Sequence, residues 1–204
     1  ITHCDAVQGF LKVPFQVRSL QADLLSISGH KVHGVKGVGA LYQKNGIHLH
    51  PTFHGGSQER GLRPGTENVP AIAAFGAAVQ TYGSTVRERY QAVTEKKAYL
   101  LERLQELPNC KIHSVEDASP YIISFSLRPY RSEILLHFLE KREIFVSSGS
   151  ACSKGKNSGV PVLFGATDAE ADSILRVSLS AETPNTALDA LVSSLQEATK
   201  TLLY

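Results

Sequence analysis

Methionine is absent from the 204 residues of this chain, and cysteine is nearly so, with three. Cys4, Cys110 and Cys152 are widely spaced, and no pair stands at the spacing of a metal-binding or dithiol redox motif. An odd set of isolated thiols argues against a disulfide-stapled secreted domain and for a reducing compartment, which points to the cytoplasm. No apolar run approaches the length of a bilayer span, and no basic cluster interleaved with aromatics offers a face to nucleic acid. Internal repeats, low-complexity tracts and a secretory signal pattern are also lacking. A formal net charge of +2 selects no class of partner. What remains is the composition of a soluble globular protein, 42% hydrophobic and 20% charged, with length for one or two small domains around a sizeable core.

The most informative segment is 23 to 42. The apolar run Leu24, Leu25, Ile27 reads as a strand that enters a polar corner, Ser28-Gly29-His30-Lys31. Gly34, Gly37 and Gly39 then space a return strand and let the backbone turn and approach something closely. Lys31 is expected at a desolvated strand end, where the neutral, nucleophilic amine is favoured. Ser28 and His30 flank it as short hydrogen-bonding groups of the kind that hold a phosphate. A lysine that bonds a carbonyl beside a phosphate cradle suggests pyridoxal phosphate. A strand-turn-strand hairpin with a merely solvated Lys31 is the competing reading.

Four ordered motifs decide between them. Ser28-x-His30-Lys31-x-x-Gly34-x-Lys36-Gly37-x-Gly39-x-Leu41-Tyr42 resembles the cofactor-lysine segment of cysteine desulfurases, class V aminotransferases of PLP fold type I. His3-x-Asp5-Ala6-Val7-Gln8 precedes it, Gly55-Gly56-Ser57-Gln58-Glu59-Arg60-Gly61-Leu62-Arg63-Pro64-Gly65-Thr66-Glu67-Asn68 follows it, and Ser147-Ser148-Gly149-Ser150-Ala151-Cys152 is similar to the NifS/IscS-like branch. The resemblance runs from His3 to the strand around Arg176. It implies an α/β protein that holds the C-terminal part of the PLP-binding large domain and a small C-terminal domain, with the N-terminal half absent. That half would supply the ring-stacking histidine, further phosphate contacts and an asparagine for the substrate, so the fragment alone is expected to be inactive.

The pattern of elements agrees with two domains. Short apolar strands alternate with turns to about Tyr42, and a helical pattern begins at Pro70. It runs past a break near Gly83-Ser84 through Val93, Leu100 and Leu104 until Pro108-Asn109 ends it, as a long amphipathic bridging helix. Beyond it, Lys111 to Val115, Tyr121 to Leu127, Ile144 to Ser147 and Ile174 to Leu179 read as strands. Ser132 is expected to cap a helix reaching Arg142, and Thr183-Pro184 to open a closing helix with Pro at an early helical position. The expected organisation is a large-domain portion at 1–82, a connecting helix at 83–107, and a small domain at 108–204 that carries the Cys152 loop.

The resemblance also implies roles. Lys31 carries pyridoxal phosphate covalently and moves the substrate Cα proton. Asp5 pairs with the ring nitrogen, Gln8 with the ring hydroxyl, and Ser28 and His30 with the phosphate. Thr66 reaches the phosphate of the other subunit's cofactor, which implies a homodimer. Arg176, a charge within an apolar strand, takes the substrate carboxylate; an ion pair with an acidic side chain is the alternative. Cys152 lies in a small-residue stretch, with Lys154 and Lys156 just beyond it, and nearby cations lower a thiol pKa. It is the expected nucleophile, whereas Cys4 and Cys110 read as small buried hydrophobes. No resident metal is expected, apart from transient iron-sulfur contact through Cys152.

The implied activity converts L-cysteine to L-alanine and leaves a persulfide on Cys152. The sulfur then passes to an acceptor or scaffold protein for iron-sulfur cluster assembly or tRNA thiolation. A class V aminotransferase or lyase without sulfur transfer, and a non-catalytic dimerising fragment, are the alternatives. Val35, Ser57, Pro64 and Ser180 depart from the family pattern, and none replaces a group with an implied chemical role.

Overall fold

Two three-stranded sheets organise the chain. The computed structural model describes residues 1–148 and 160–202. It divides into two compact units, Ile1–Tyr90 and Gln91–Tyr204.

In the first unit, strand β1 (His3–Asp5) lies parallel to β2 (Leu24–Ser28), and β3 (Gly39–Gln43) lies antiparallel to β2 on its other side. The glycine at position 39 is a packing requirement. It faces Ser28 across the ladder, and a Cβ there would come within 2.5 Å of the Ile27 carbonyl oxygen. Between β2 and β3 the chain makes one 3₁₀ turn, Gly29–Val32, closed by His33 in the left-handed conformation at φ 65°. Helix α1 (Val69–Gly83) is capped by the Asn68 side chain, whose Oδ1 accepts from Ala71 N at 3.2 Å. Its Phe75 is buried, meets Phe10 edge-on with ring centroids 6.3 Å apart, and lies against Gly29. The helical pattern does break where glycine and serine weaken it, and α2 (Val86–Gln105) starts afresh after Ser84 and Thr85.

The second unit contains the larger core. β4 (Cys110–Ile112), β5 (Ile122–Leu127) and β6 (Ile174–Ser178) form an antiparallel sheet in that order. Period-two alternation sends Ile123, Phe125 and Leu127 inward, each fully buried. Against them pack Leu100 and Leu104 of α2 and Leu135 and Leu139 of α3 (Ser132–Glu140). The short helices α4 (Val160–Leu163) and α5 (Asp168–Ala171) precede β6, and Leu188, Leu191, Val192 and Leu195 of the closing helix α6 (Asn185–Thr201) complete the core. Full burial of each such side chain is worth roughly 1.5–3 kcal/mol. Tyr99 of α2 donates to Asp189 Oδ1 of α6 at 2.6 Å and staples the two helices. Among the described residues no helix is long and apolar enough to cross a membrane.

Several boundaries differ from the expectation. Residues 144 to 147 form no strand: β6 already pairs with β5, and only Ser147 reaches it, through an isolated bridge to Arg176. Ser132 does not cap α3, because it is the first helical residue and its N–H donates to Asp172 O at 2.8 Å; Arg131 occupies the cap position. Pro184 likewise stands just outside α6, at its N-cap, after a turn closed by Ser180 N donating to Thr183 Oγ1 at 3.0 Å.

Cys110 is half-buried at the start of β4, and burial pushes its thiol up to about 11. At pH 7.5 a thiol of that acidity is thiolate in only about three molecules in ten thousand. Iodoacetamide should therefore modify Cys110 slowly in the folded protein, with a rate that climbs about tenfold per pH unit up to the thiol pKa. Equal labelling of Cys110 in folded and denatured protein at pH 7.5 would contradict this placement.

Candidate active site

Parallel pairing brings the ends of β1 and β2 to the same edge of the first sheet. Asp5, the last residue of β1, stands opposite Ser26 in the register, two residues before β2 ends at Ser28. Asp5 is exposed, and its Oδ1 accepts from Val7 N at 3.0 Å. The chain then coils through Gly9 and Val13, with Phe10 N donating to Ala6 O at 2.8 Å and Val13 N to Gly9 O at 2.8 Å. Across this turn, in which Leu11 takes a φ of 55°, Lys12 Nζ donates to Gln8 Oε1 at 3.5 Å.

At the end of β2, Ser28 Oγ and His30 Nδ1 lie 2.8 Å apart in a hydrogen bond. Lys31 follows on the 3₁₀ turn and is half-buried, so the desolvation expected at this strand end is partial. The turn is held from several sides. Gly34 N donates to Gly29 O at 2.9 Å, where a Cβ on Gly34 would itself meet that oxygen at 2.9 Å. His33 stacks on Tyr82 of α1 at 4.7 Å, and the Arg89 guanidinium lies 4.6 Å from the same ring's centroid. The Lys12 ammonium is held below its ordinary pKa, first by burial and then by the charge of Lys31.

Carboxylate, carboxamide, hydroxyl, imidazole and amine thus gather at one sheet edge, beyond the C-terminal ends of parallel strands, where α/β sheets take their ligands. Thr66 belongs to the same unit but to a separate loop. It is exposed and follows Gly65, whose φ is 114° and whose N–H donates to Gln58 Oε1 at 3.3 Å. Within that loop Glu59 and Arg60 hold φ values of 49° and 58°, backbone strain of the kind that concentrates at functional sites.

The second unit presents Arg176 on β6. Its backbone is clamped to Ser147 in both directions, with Arg176 N donating to Ser147 O at 2.6 Å and Ser147 N to Arg176 O at 3.1 Å. Arg176 Nη2 reaches Ser147 Oγ at 3.4 Å, whereas its buried Nε has no hydrogen-bond partner among the described residues. No salt bridge with an acidic side chain engages it among those residues. Cys152, with Lys154 and Lys156, lies outside the described residues. Cys4 and Cys110 are free thiols, both half-buried.

Three contributors escaped the sequence reading. Lys12 was signalled only by its spacing of four from Gln8, a pair that meets when the chain coils. Ser147 joins Arg176 through a bridge that no periodicity announces. The stack of His33 on Tyr82 joins residues far apart in sequence.

Comparison with known proteins places the chain in a family. The model of the family "Aminotransferase class-V" matches residues 1–191. The cysteine desulfurase IscS of Clostridium botulinum (strain Hall) is 35% identical over 204 residues, which cover 97% of this chain and 51% of that protein. A solved NifS-like protein matches with a TM-score of 0.87 at 31% identity, over 98% of this chain and 52% of its own. SspA in complex with cysteine matches with a TM-score of 0.68 at 31% identity, over 89% and 51% of the two chains. The chain spans about half the length of the curated relatives it matches. Its mixed α/β architecture is that of the NifS-like members of PLP fold type I, and the chain belongs to the class-V aminotransferase family.

Proposed function

We propose that this chain is part of a pyridoxal-phosphate-dependent cysteine desulfurase, which converts L-cysteine to L-alanine and takes the sulfur as a persulfide on Cys152. The observation that carries this reading is the set at one sheet edge: half-buried Lys31 preceded by the hydrogen-bonded Ser28 and His30, with Asp5 and Gln8 on the neighbouring strand end. That donor set fits the cofactor group by group: a carboxylate for the ring nitrogen, a carboxamide for the ring hydroxyl, hydroxyl and imidazole for the phosphate, and an amine for the aldehyde. The desulfurase relatives and the cysteine complex of SspA support L-cysteine as the substrate. The domain organisation 1–82, 83–107 and 108–204 is part of the same proposal, as is a reducing, cytoplasmic setting.

When bound, pyridoxal phosphate supplies a carbonyl for amines and a ring that delocalises the electron pair left by loss of a Cα proton. Lys31 would hold the cofactor through its amine and, once freed, would serve as base and acid at the substrate Cα. Asp5 keeps the ring nitrogen protonated. Arg176 offers its guanidinium to the substrate carboxylate, a planar acceptor that matches its fork and would satisfy the orphaned Nε. The Cys152 thiolate attacks the substrate sulfur; the carbon–sulfur bond breaks, a sulfur–sulfur bond forms, and the carbon takes up a proton, which leaves alanine. The persulfide is then handed to a sulfur acceptor or an iron-sulfur scaffold protein. Thr66 serves the neighbouring subunit's cofactor in a homodimer.

Three experiments test this in the full-length protein. Borohydride reduction followed by peptide mapping should place the pyridoxyl group on Lys31; labelling of Lys36 instead would sink the assignment. Cys152→Ser should still bind pyridoxal phosphate and L-cysteine, but release of sulfide and alanine should fall to near background, because a hydroxyl is a far weaker nucleophile toward sulfur at neutral pH. Turnover by that variant at the wild-type rate would rule the mechanism out. Mixing Lys31→Ala with Thr66→Ala protein should restore part of the activity, and no recovery despite confirmed subunit exchange would count against a shared site.

A further inference from the structure

We infer that Lys12 is a positioning residue of the Lys31 site, its ammonium fixing the Gln8 carboxamide so that the amide nitrogen, not the oxygen, is presented to the ligand. The inference rests on the proposed cofactor reading and extends it to a residue with no implied role.

The argument begins with donors and acceptors. A carboxamide carries an acceptor oxygen and a donor nitrogen on nearly equal arms, and an exposed glutamine turns freely between them. An ammonium can only donate, so the contact of Lys12 Nζ with Gln8 Oε1 at 3.5 Å occupies the acceptor arm. Nε2 is then the arm left for a ligand. The ring hydroxyl of pyridoxal phosphate presents an oxygen acceptor when ionised, and it pairs with an N–H but is repelled by a second oxygen.

Local structure makes the contact durable. Gln8 and Lys12 sit on consecutive turns of the short coil that β1 feeds directly, which ties their separation to the backbone. Lys12 is also half-buried, where a lysine with no task would extend its stem and place the charge in water. Burial and the neighbouring Lys31 both disfavour its charge, and an anionic ligand at the same edge offsets both. Lys12 therefore does two things there: it sets the Gln8 amide, and it adds positive potential to a site that takes an anion.

The test uses the full-length protein, with pyridoxal phosphate as probe and its Kd and visible absorption band as readouts. Lys12→Met keeps the stem and removes the charge; it should weaken the cofactor about five- to tenfold and shift the band, the scale of one ordinary net hydrogen bond. Lys12→Arg should hold Kd within about twofold of wild type, since it keeps a donor that reaches Oε1. In a Gln8→Ala background, Lys12→Met should cost at most half as much on a free-energy scale as it does in the wild type, because the group it positions is gone and only its charge remains to be lost. Wild-type affinity and band in Lys12→Met would overturn the inference, and so would an undiminished loss in the Gln8→Ala background. If Lys12→Met melts before it can be titrated, Lys12→Gln is read by the same criteria. A wild-type protein that takes up no pyridoxal phosphate would overturn the cofactor reading and this inference together, whereas binding by wild type with no effect at Lys12 would overturn this inference alone.

Discussion

The parallel register of β1 on β2 is the constraint on which the Lys31 site depends. Because the strands run the same way, and His3, Cys4 and Asp5 pair with Leu24, Leu25 and Ser26, both leave the sheet at one edge. Asp5 and the Ser28 to Lys31 corner are neighbours for that reason alone, although some two dozen residues separate them. A slip of one residue would turn Asp5 to the opposite face and disperse the set. The antiparallel β3 fixes the other side. Its Gly39 must be glycine for β3 to close on Ile27 and Ser28, so the glycine-spaced return strand is a condition of the corner's shape.

In the second unit the controlling fact is the cost of a buried guanidinium nitrogen. Leu175 and Val177 of β6 are buried toward the core, and Arg176 between them points to the opposite face of the sheet. An unpaired buried donor costs about 1–3 kcal/mol, more when charged. Ser147 answers only one arm, at 3.4 Å, and the Nε remains orphaned among the described residues. An ion pair with an acidic side chain would have removed the penalty, and such pairs form elsewhere in this unit, between Arg131 and Asp172 and between Lys111 and Glu170. Lys111 and the capping N–H of Thr167 hold the Glu170 carboxyl down to about 2. Arg103 in the same unit also holds a buried Nε without a partner among the described residues, so the orphaned nitrogen of Arg176 is not unique to it.

Much of this was legible in the sequence because it rests on local rules. The corner at Ser28, the break after Gly83, the alternation through Ile123, Phe125 and Leu127, and the spacing of leucines in α6 are each written within a few residues. What was illegible required partners distant in the chain. Ile144 to Ser147 has a strand's composition, but strands exist only in pairs, and the available edge of β6 accepts a single bridge. Ser132 has the right side chain for a cap and the wrong backbone, because Asp172 engages its N–H and draws it into the helix. Lys31 is less buried than its apolar run suggested, since Leu25 alone of that run is buried and the 3₁₀ turn lifts the lysine away from it. The chemistry assigned to Cys152 rests on sequence alone.

Charge balance at the Lys31 edge narrows what can bind there. This edge carries one carboxylate, Asp5, and two ammonium groups, Lys31 and Lys12, and the charge of Lys31 weighs against that of Lys12. A neutral aldehyde would leave that repulsion uncompensated. A ligand that brings the aldehyde together with a phosphate monoester carries about two negative charges at neutral pH, as phosphate esters with a second pKa near 6 do. Under the proposed function, such a ligand would relieve the lysines and offer its ring nitrogen to Asp5. Under the same proposal, the second lysine joins the hydrogen-bonded Ser28 and His30 in favouring the phosphorylated form of the carbonyl ligand, and the same charge sets the polarity of Gln8.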